Sequence, residues 1–520
     1  MKKISERVKL NSEMSPKQRF FYNGILLTAL GITMRTVALF FNAFVSRTVG
    51  AEGIGLYTLV NTVYGFAVTF ATSGISLTVT RLVAAARGEG KECDTARILN
   101  GAVAYALLFS TAATLVLFLG GDFFASRALG DIRAASSLRI LAPSLVPLSL
   151  ISVFSGYFVG IRKVACNAVT QVLGQLFKIS CTVFLCTRVS GLGVEESARM
   201  LSLGTTITEI LCFLIIFIEY LLLRRGKEKK KGTDVGAVAK MAVPLGISAY
   251  IRQALLTLEH ILIPKRLRSS GASQSEALAS YGTLHGMALP MILYPMVTLS
   301  SFSGLLVPEF AERESAKDKA GMKRLAERAF GTTLVYAVLS ASVLFVFSEE
   351  LGYVIYKSSA AGKYIAALAS VVPIMYLDHV TDSVLKGIGE QVYSMWVNIT
   401  DSFLSIILVW FLIPKMGIMG YAVCIIAMEA YNFLLSLVRL LRRIKFKISL
   451  VESALFPAAA ALISGILVKM LFISAGKETS ALWLTLEIVF AVSVFAGIYR
   501  LWLLLSDTAK RLLKKEQMSI

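Results

Sequence analysis

A chain of 520 residues that is 56% hydrophobic and only 17% charged, with a mean hydropathy of +0.70, is too apolar for a soluble domain and reads as a polytopic membrane protein. The formal net charge of +20 raises nucleic acid as a partner, but the basic residues fall mainly in short segments between apolar runs, as the positive-inside rule describes. No nucleic-acid face is therefore expected.

The tail, residues 1–19, is polar, and the first apolar run is too long for the core of a signal peptide, so no cleavable leader is expected. That run, Phe20 to Val45, is long enough to cross a hydrocarbon core of about 30 Å as a helix. It carries Arg35 at its centre, where a charge costs roughly 2.5–3.5 kcal/mol and therefore faces a bundle interior or a wet cavity. A glycine-rich turn follows at residues 47–55, and a second run returns from Leu56 to Val83. Further spans are expected at about 98–120, 136–161, 168–189 and 200–223, completing a first half over 20–223. The basic segment 224–237 reads as a linker. A second half over 238–447 has spans at about 238–263, 278–307, 329–347, 364–386, 394–413 and 420–441. Two additional spans within 448–505 and a polar tail, 506–520, bring the total to about fourteen.

Lys and Arg number roughly 34 in the tails and even loops against roughly 12 in the odd loops, which places both termini in the cytoplasm of a multi-pass cell-membrane protein. Lys265, Arg266 and Arg268 run against this rule and are read as scatter in preference to an interaction patch. The six cysteines form no CxxC pair and are expected to be packing residues.

The words Gly50-Ala51-Glu52-Gly53-Ile54-Gly55-Leu56-Tyr57, Ser73-Gly74-Ile75-Ser76 and Arg81-Leu82-Val83-Ala84 resemble the opening of the stage V sporulation protein B family. That family is a branch of the superfamily of multidrug, oligosaccharidyl-lipid and polysaccharide exporters. The resemblance covers essentially the whole chain. It implies an all-α fold of about fourteen helices, two six-helix halves plus two, and export of lipid-linked sugars by a membrane flippase. Membrane lipid, a lipid-linked saccharide and enzymes of envelope synthesis are the partners it implies.

Charged residues inside spans are the candidates for chemistry. Arg35 and Arg252 occupy the first span of each half and suit a pyrophosphate, which needs cations that stay charged when desolvated. Asn42, Glu259 and His260 complete the candidate substrate-binding set, Glu259 lying two helical turns from Arg252. Asp378 and Asp382, one turn apart, are the candidate coupling or gating pair. Glu209, Asp401 and Glu429 are further in-span acids, with structural and functional readings left open. In-span prolines at 143, 147, 244, 290, 295 and 373 mark candidate hinges. Internal repeat identities are few, but the span count and the central basic linker predict six-plus-six parallel halves, and transporters built this way bind substrate between the halves near the midplane.

Related lipid II flippases are richer in cavity arginines than this chain, which has no Lys or Arg between Leu56 and Thr80 or between Leu278 and Val307. Lipid II itself is accordingly not the favoured substrate. The sequence has no P-loop, HExxH or GxSxG motif, so neither ATP-driven export nor these hydrolytic chemistries are expected, and no cofactor is called for. Work would come from a proton or sodium gradient. A multidrug-type cation antiporter and a non-transporting envelope assembly protein stay open as alternatives.

Overall fold

The computed structural model describes residues 16–72, 74–88, 94–161, 163–189, 193–223, 232–474 and 480–517. Among these residues there are helices and turns and no strand. The first half comprises α1 (Pro16–Thr72), α2 (Ile75–Gly88), α3 (Asp94–Leu119), α4 (Ala134–Leu141), α5 (Leu145–Gly160), α6 (Val164–Val189) and α7 (Val194–Leu223). The second half comprises α8 (Val235–Ser269), α9 (Gln274–Tyr281), α10 (Leu289–Leu293), α11 (Met296–Ser315), α12 (Lys319–Val346), α13 (Ser348–Tyr356), α14 (Ser359–Ala369), α15 (Val372–Gly387), α16 (Gln391–Met416) and α17 (Ile418–Arg443). Two more, α18 (Phe456–Ser474) and α19 (Ala481–Gln517), follow and pack on each other. Most of the expected basic linker, residues 224–231, lies outside the described residues.

Among the described residues ten helices are long and apolar enough to span a membrane, or up to thirteen if each of three bent pairs is one span. The expected count of about fourteen is one above the upper figure, in which residues 33–87 are counted once. One of the ten, residues 33–87, contains the glycine-rich turn: Gly50 leaves the helical region at φ 77°, and Asn42 and Asn61, on either side of it, line one cavity. The chain therefore folds back at Gly50, a conformation glycine adopts without the Cβ penalty.

The bent pairs explain four of the six prolines. Bends of 50°, 55° and 58° fall after Pro244, at Pro290–Pro295 and beside Pro373. A proline removes a backbone donor and leaves carbonyls to be satisfied by other means. At the middle bend tyrosines supply the donors: the Tyr336 hydroxyl donates to the Pro295 carbonyl at 2.7 Å and Tyr376 to Ile292 at 3.0 Å. Pro143 sits in the 3-10 turn joining α4 to α5.

The two halves meet through a buried core that contains Leu56, Leu59 and Leu138 from the first and Leu278, Tyr281 and Leu284 from the second. Close approach at one end depends on absent side chains, since a methyl group on Gly55 would overlap the Leu278 carbonyl. The same end, which carries the Gly50 turn and is called distal below, is laced by polar contacts. Arg133 pairs with Glu52 at 2.9 Å, and Glu52 accepts from Ser275 at 2.5 Å. Arg47 donates to the carbonyls of Val354 and Ile355 at the C-terminal end of α13, where orphan acceptors collect.

The stray basic residues belong to this lacing, which corrects their reading as scatter. Lys265 donates to the Arg127 carbonyl at 3.0 Å and Arg268 to the Gly130 carbonyl at 3.3 Å, both across the halves. Arg266 lies 4.1 Å from the centre of the Trp410 ring and also donates to the Trp410 carbonyl.

Candidate functional site

Arg35 and Asn42 are seven residues apart on α1, so two helical turns set them on one face. That face looks into two adjoining cavities between the halves. The first, about 260 Å³, is lined by Arg35, Leu39 and Asn42 of α1 with His285, Pro290 and Tyr294 of the second half. The second, about 220 Å³, is lined by Asn42, Thr58 and Asn61 of α1, Lys178 and Thr182 of α6, and His285 and Pro290. Asn42, His285 and Pro290 are common to both. Next to Arg35, the Thr36 and Tyr294 hydroxyls bond across the halves at 2.8 Å. Arg35 is exposed, and among the described residues it makes no hydrogen bond or ion pair.

His285 reaches the cavities because residues 282–288 form one turn of π-helix, a local widening common at functional sites. Behind it the His260 ring lies 4.4 Å away, and the Tyr281 hydroxyl sits 3.2 Å from His260 Nδ1. His260 is thus one layer removed from the cavity. Of the expected substrate-binding set, Arg35 and Asn42 line it.

Arg252 and Glu259 line neither cavity; Glu259 belongs to a group of carboxylates inside the second half, within electrostatic reach of Arg252 through Asp401. Glu259, buried on α8, accepts from Ser405 of α16 at 2.7 Å. Asp401 of α16 lies in the fields of both Glu259 and Arg252. Asp378 of α15 feels Asp401 and Asp382, and Glu429 of α17 feels Asp378 and Asp401. One carboxylate oxygen each of Asp378 and Asp401 is buried with no hydrogen-bond partner among the described residues.

The expected pair, Asp378 and Asp382, divides between these surroundings. Asp382 has its own cation, Lys386 at 2.5 Å, and accepts from Ser394. Asp378 instead faces acids on the neighbouring helices. Among the described residues no three His, Cys, Asp or Glu side chains converge closely enough to hold a metal ion.

Three functional candidates escaped the sequence reading: Lys178, Asn61 and His285. Lys178 was discoverable, because it sits about ten residues into the span expected at 168–189 and meets the mid-span criterion applied to Arg35. His285 depends on the π-turn and Asn61 on the fold-back at Gly50, which leave no periodic signal.

Comparisons with known proteins agree with this architecture. The stage V sporulation protein B of Bacillus subtilis (strain 168) is 26% identical over 421 residues, covering 79% of this chain and 81% of that one. The sporulation protein YkvU of the same organism is 21% identical over 358 residues, 65% of this chain and 77% of its own. Among solved structures, the lipid II flippase MurJ in an inward closed conformation superposes with a TM-score of 0.72 at 16% identity, covering 94% of this chain and all of that one. An inward-facing multidrug resistance MATE family transporter of the MOP superfamily gives 0.65 at 14% identity, covering 80% and 98%. The MatE family signature matches residues 270–411. The signature of the family described as polysaccharide biosynthesis protein matches residues 20–314, more than half the chain, and the chain belongs to that family.

Proposed function

We propose that this protein is a flippase or exporter that moves a polyprenyl-linked saccharide across the cell membrane by alternating access. Its two halves are the units divided at 20–223 and 238–447, the pair within 448–505 standing outside them, and both termini are cytoplasmic. The observation that carries the reading is Arg35, a permanently charged guanidinium facing an inter-half cavity without a protein partner among the described residues. Such a charge needs an anion or water, and a phosphate-bearing head group supplies the anion. The polysaccharide biosynthesis family and the lipid II flippase of like fold support this class of cargo. Asp378, Asp401 and Glu429 are the coupling site, where one proton shared among close carboxylates is exchanged for passage. Enzymes of envelope synthesis supply the cargo.

A second reading, a cation antiporter of the multidrug type, is favoured by that same carboxylate cluster and by the MATE likeness. Proteoliposomes separate the two. The proposal expects movement of a fluorescent polyprenyl-diphosphate disaccharide that Arg35→Gln abolishes; ion-coupled efflux of small organic cations, with no lipid movement, would establish the antiporter instead.

The orientation has its own check. In intact cells, cysteines introduced at Glu195 or Ser275 react with an impermeant thiol reagent and one at Lys445 does not; the reverse pattern overturns the cytoplasmic termini.

A further inference from the structure

We infer that Lys178 binds a second anionic group on the transported head group, so that the saccharide is itself acidic. This rests on the proposed lipid-linked cargo and narrows it to a chemical class. Lys178 is on α6 and lines only the second cavity, whereas Arg35 lines only the first, the two cavities sharing Asn42. Each cavity, at about 260 and 220 Å³, falls below the roughly 300–1,000 Å³ usual for small-molecule sites. A bulky head group therefore engages both, and the two present different cations.

One pyrophosphate does not serve both. Arg35 to Asn42 covers about 10 Å along α1 at 1.5 Å per residue, and the second cavity begins there. With Arg35 lining only the first cavity and Lys178 only the second, a ligand that reaches along this rise is longer than a pyrophosphate and of disaccharide size. Between the charges, Asn42, Asn61, Thr58 and Thr182 present amides and hydroxyls, the groups that meet sugar hydroxyls.

Lys178 is not spent on a structural ion pair. Glu209 of α7 is near enough to feel its field, yet no ion pair or hydrogen bond of Lys178 is found among the described residues. The ammonium has three donors to offer. A carboxylate on the second sugar, placed in that cavity, takes them.

The test measures binding of the purified full-length protein in lipid nanodiscs to three probes: polyprenyl diphosphate, its neutral N-acetylglucosamine disaccharide, and a disaccharide of the same length ending in a uronic acid. Wild type should prefer the acidic over the neutral probe by about tenfold, the size of one charge-assisted hydrogen bond. Lys178→Gln should bring that ratio close to one, and Lys178→Arg should keep most of it. The double variant Lys178→Gln/Glu209→Gln, in which Glu209 is not left charged without its neighbour, should behave like Lys178→Gln and controls for misfolding. Arg35→Gln should weaken all three probes. A preference that survives Lys178→Gln, equal losses on all three probes, or a wild type that binds the three without preference overturns the inference and leaves the lipid-linked cargo standing. A wild type that binds none overturns the cargo and the inference together.

Discussion

The cavity-lining cations and the buried acid cluster sit in different parts of the chain: Arg35 and Lys178 in residues 20–223, and Glu259, Asp378, Asp401 and Glu429 in residues 238–447. In the first, Arg35 and Lys178 face the cavities without direct protein partners among the described residues. In the second, Glu259, Asp378, Asp401 and Glu429 lie in one another's fields across α8, α15, α16 and α17. Cations that wait for an anion and acids that compete for a proton are different devices. Their segregation lets substrate binding and coupling be altered separately, and each prediction below tests that separation.

The largest effect is expected in the coupling half. Asp378→Asn with Asp401→Asn removes the two acids that each hold one buried oxygen without a hydrogen-bond partner among the described residues, so transport should lose its dependence on a proton gradient, falling by an order of magnitude or more, while lipid-probe binding persists. Asp382→Asn should do far less, because Asp382 is already neutralised by Lys386. Gradient-dependent flux in proteoliposomes, measured beside equilibrium binding, checks both. Equal loss of binding and flux would erase the distinction between the halves.

A smaller effect is expected where the halves touch. Gly55→Val places a side chain against the Leu278 carbonyl, and overpacking of this kind costs about 1–3 kcal/mol. It should part the distal end, so that a disulfide between cysteines at Glu52 and Ser275, whose side chains now bond at 2.5 Å, forms in lower yield than in the parent. An unchanged yield would mean that the Gly55 contact does not set the distance between the halves.

The smallest effect is local to the second half. A hydrogen bond from Arg439, joined by Arg443, holds the Glu390 carboxyl below its usual range. A depressed carboxylate contributes stability above its unfolded pKa, about 4.3, and loses it as pH falls through the folded value. The melting temperature of the detergent-solubilised protein should drop by about a degree as pH falls below about 4.3 through this group, because one carboxylate weighs little against the unfolding entropy of 520 residues. Glu390→Gln should remove that part of the drop.

What could be read in advance follows from what membranes demand. Apolar runs of about twenty residues mark helices directly, and a proline inside a span marks a place where backbone bonds are lost. Hence the helical class and bends at Pro244, Pro295 and Pro373 were visible as residues. The cavity was visible only through Arg35 and Asn42. Arg252 looked equivalent to Arg35 by span position, yet its field falls on Asp401, because the rotation of a helix about its axis is set by packing that no single span encodes. The acid cluster shows the same limit. Asp378 and Asp382 are neighbours in sequence, but partners on α16 and α17 decide which of them stays unpaired.

The central claim is that Arg35 holds the phosphate end of the cargo, and a charge series at that residue tests it most directly. Proteoliposomes carrying Arg35, Arg35→Lys or Arg35→Gln would be scored for movement of a fluorescent polyprenyl-diphosphate disaccharide. A point cation still attracts phosphate but forgoes bidentate bonding, so Arg35→Lys should keep part of the rate, roughly a tenth to a third, and Arg35→Gln should fall to background while the protein still inserts. Full transport by Arg35→Gln would contradict the account and make Arg35 a structural residue.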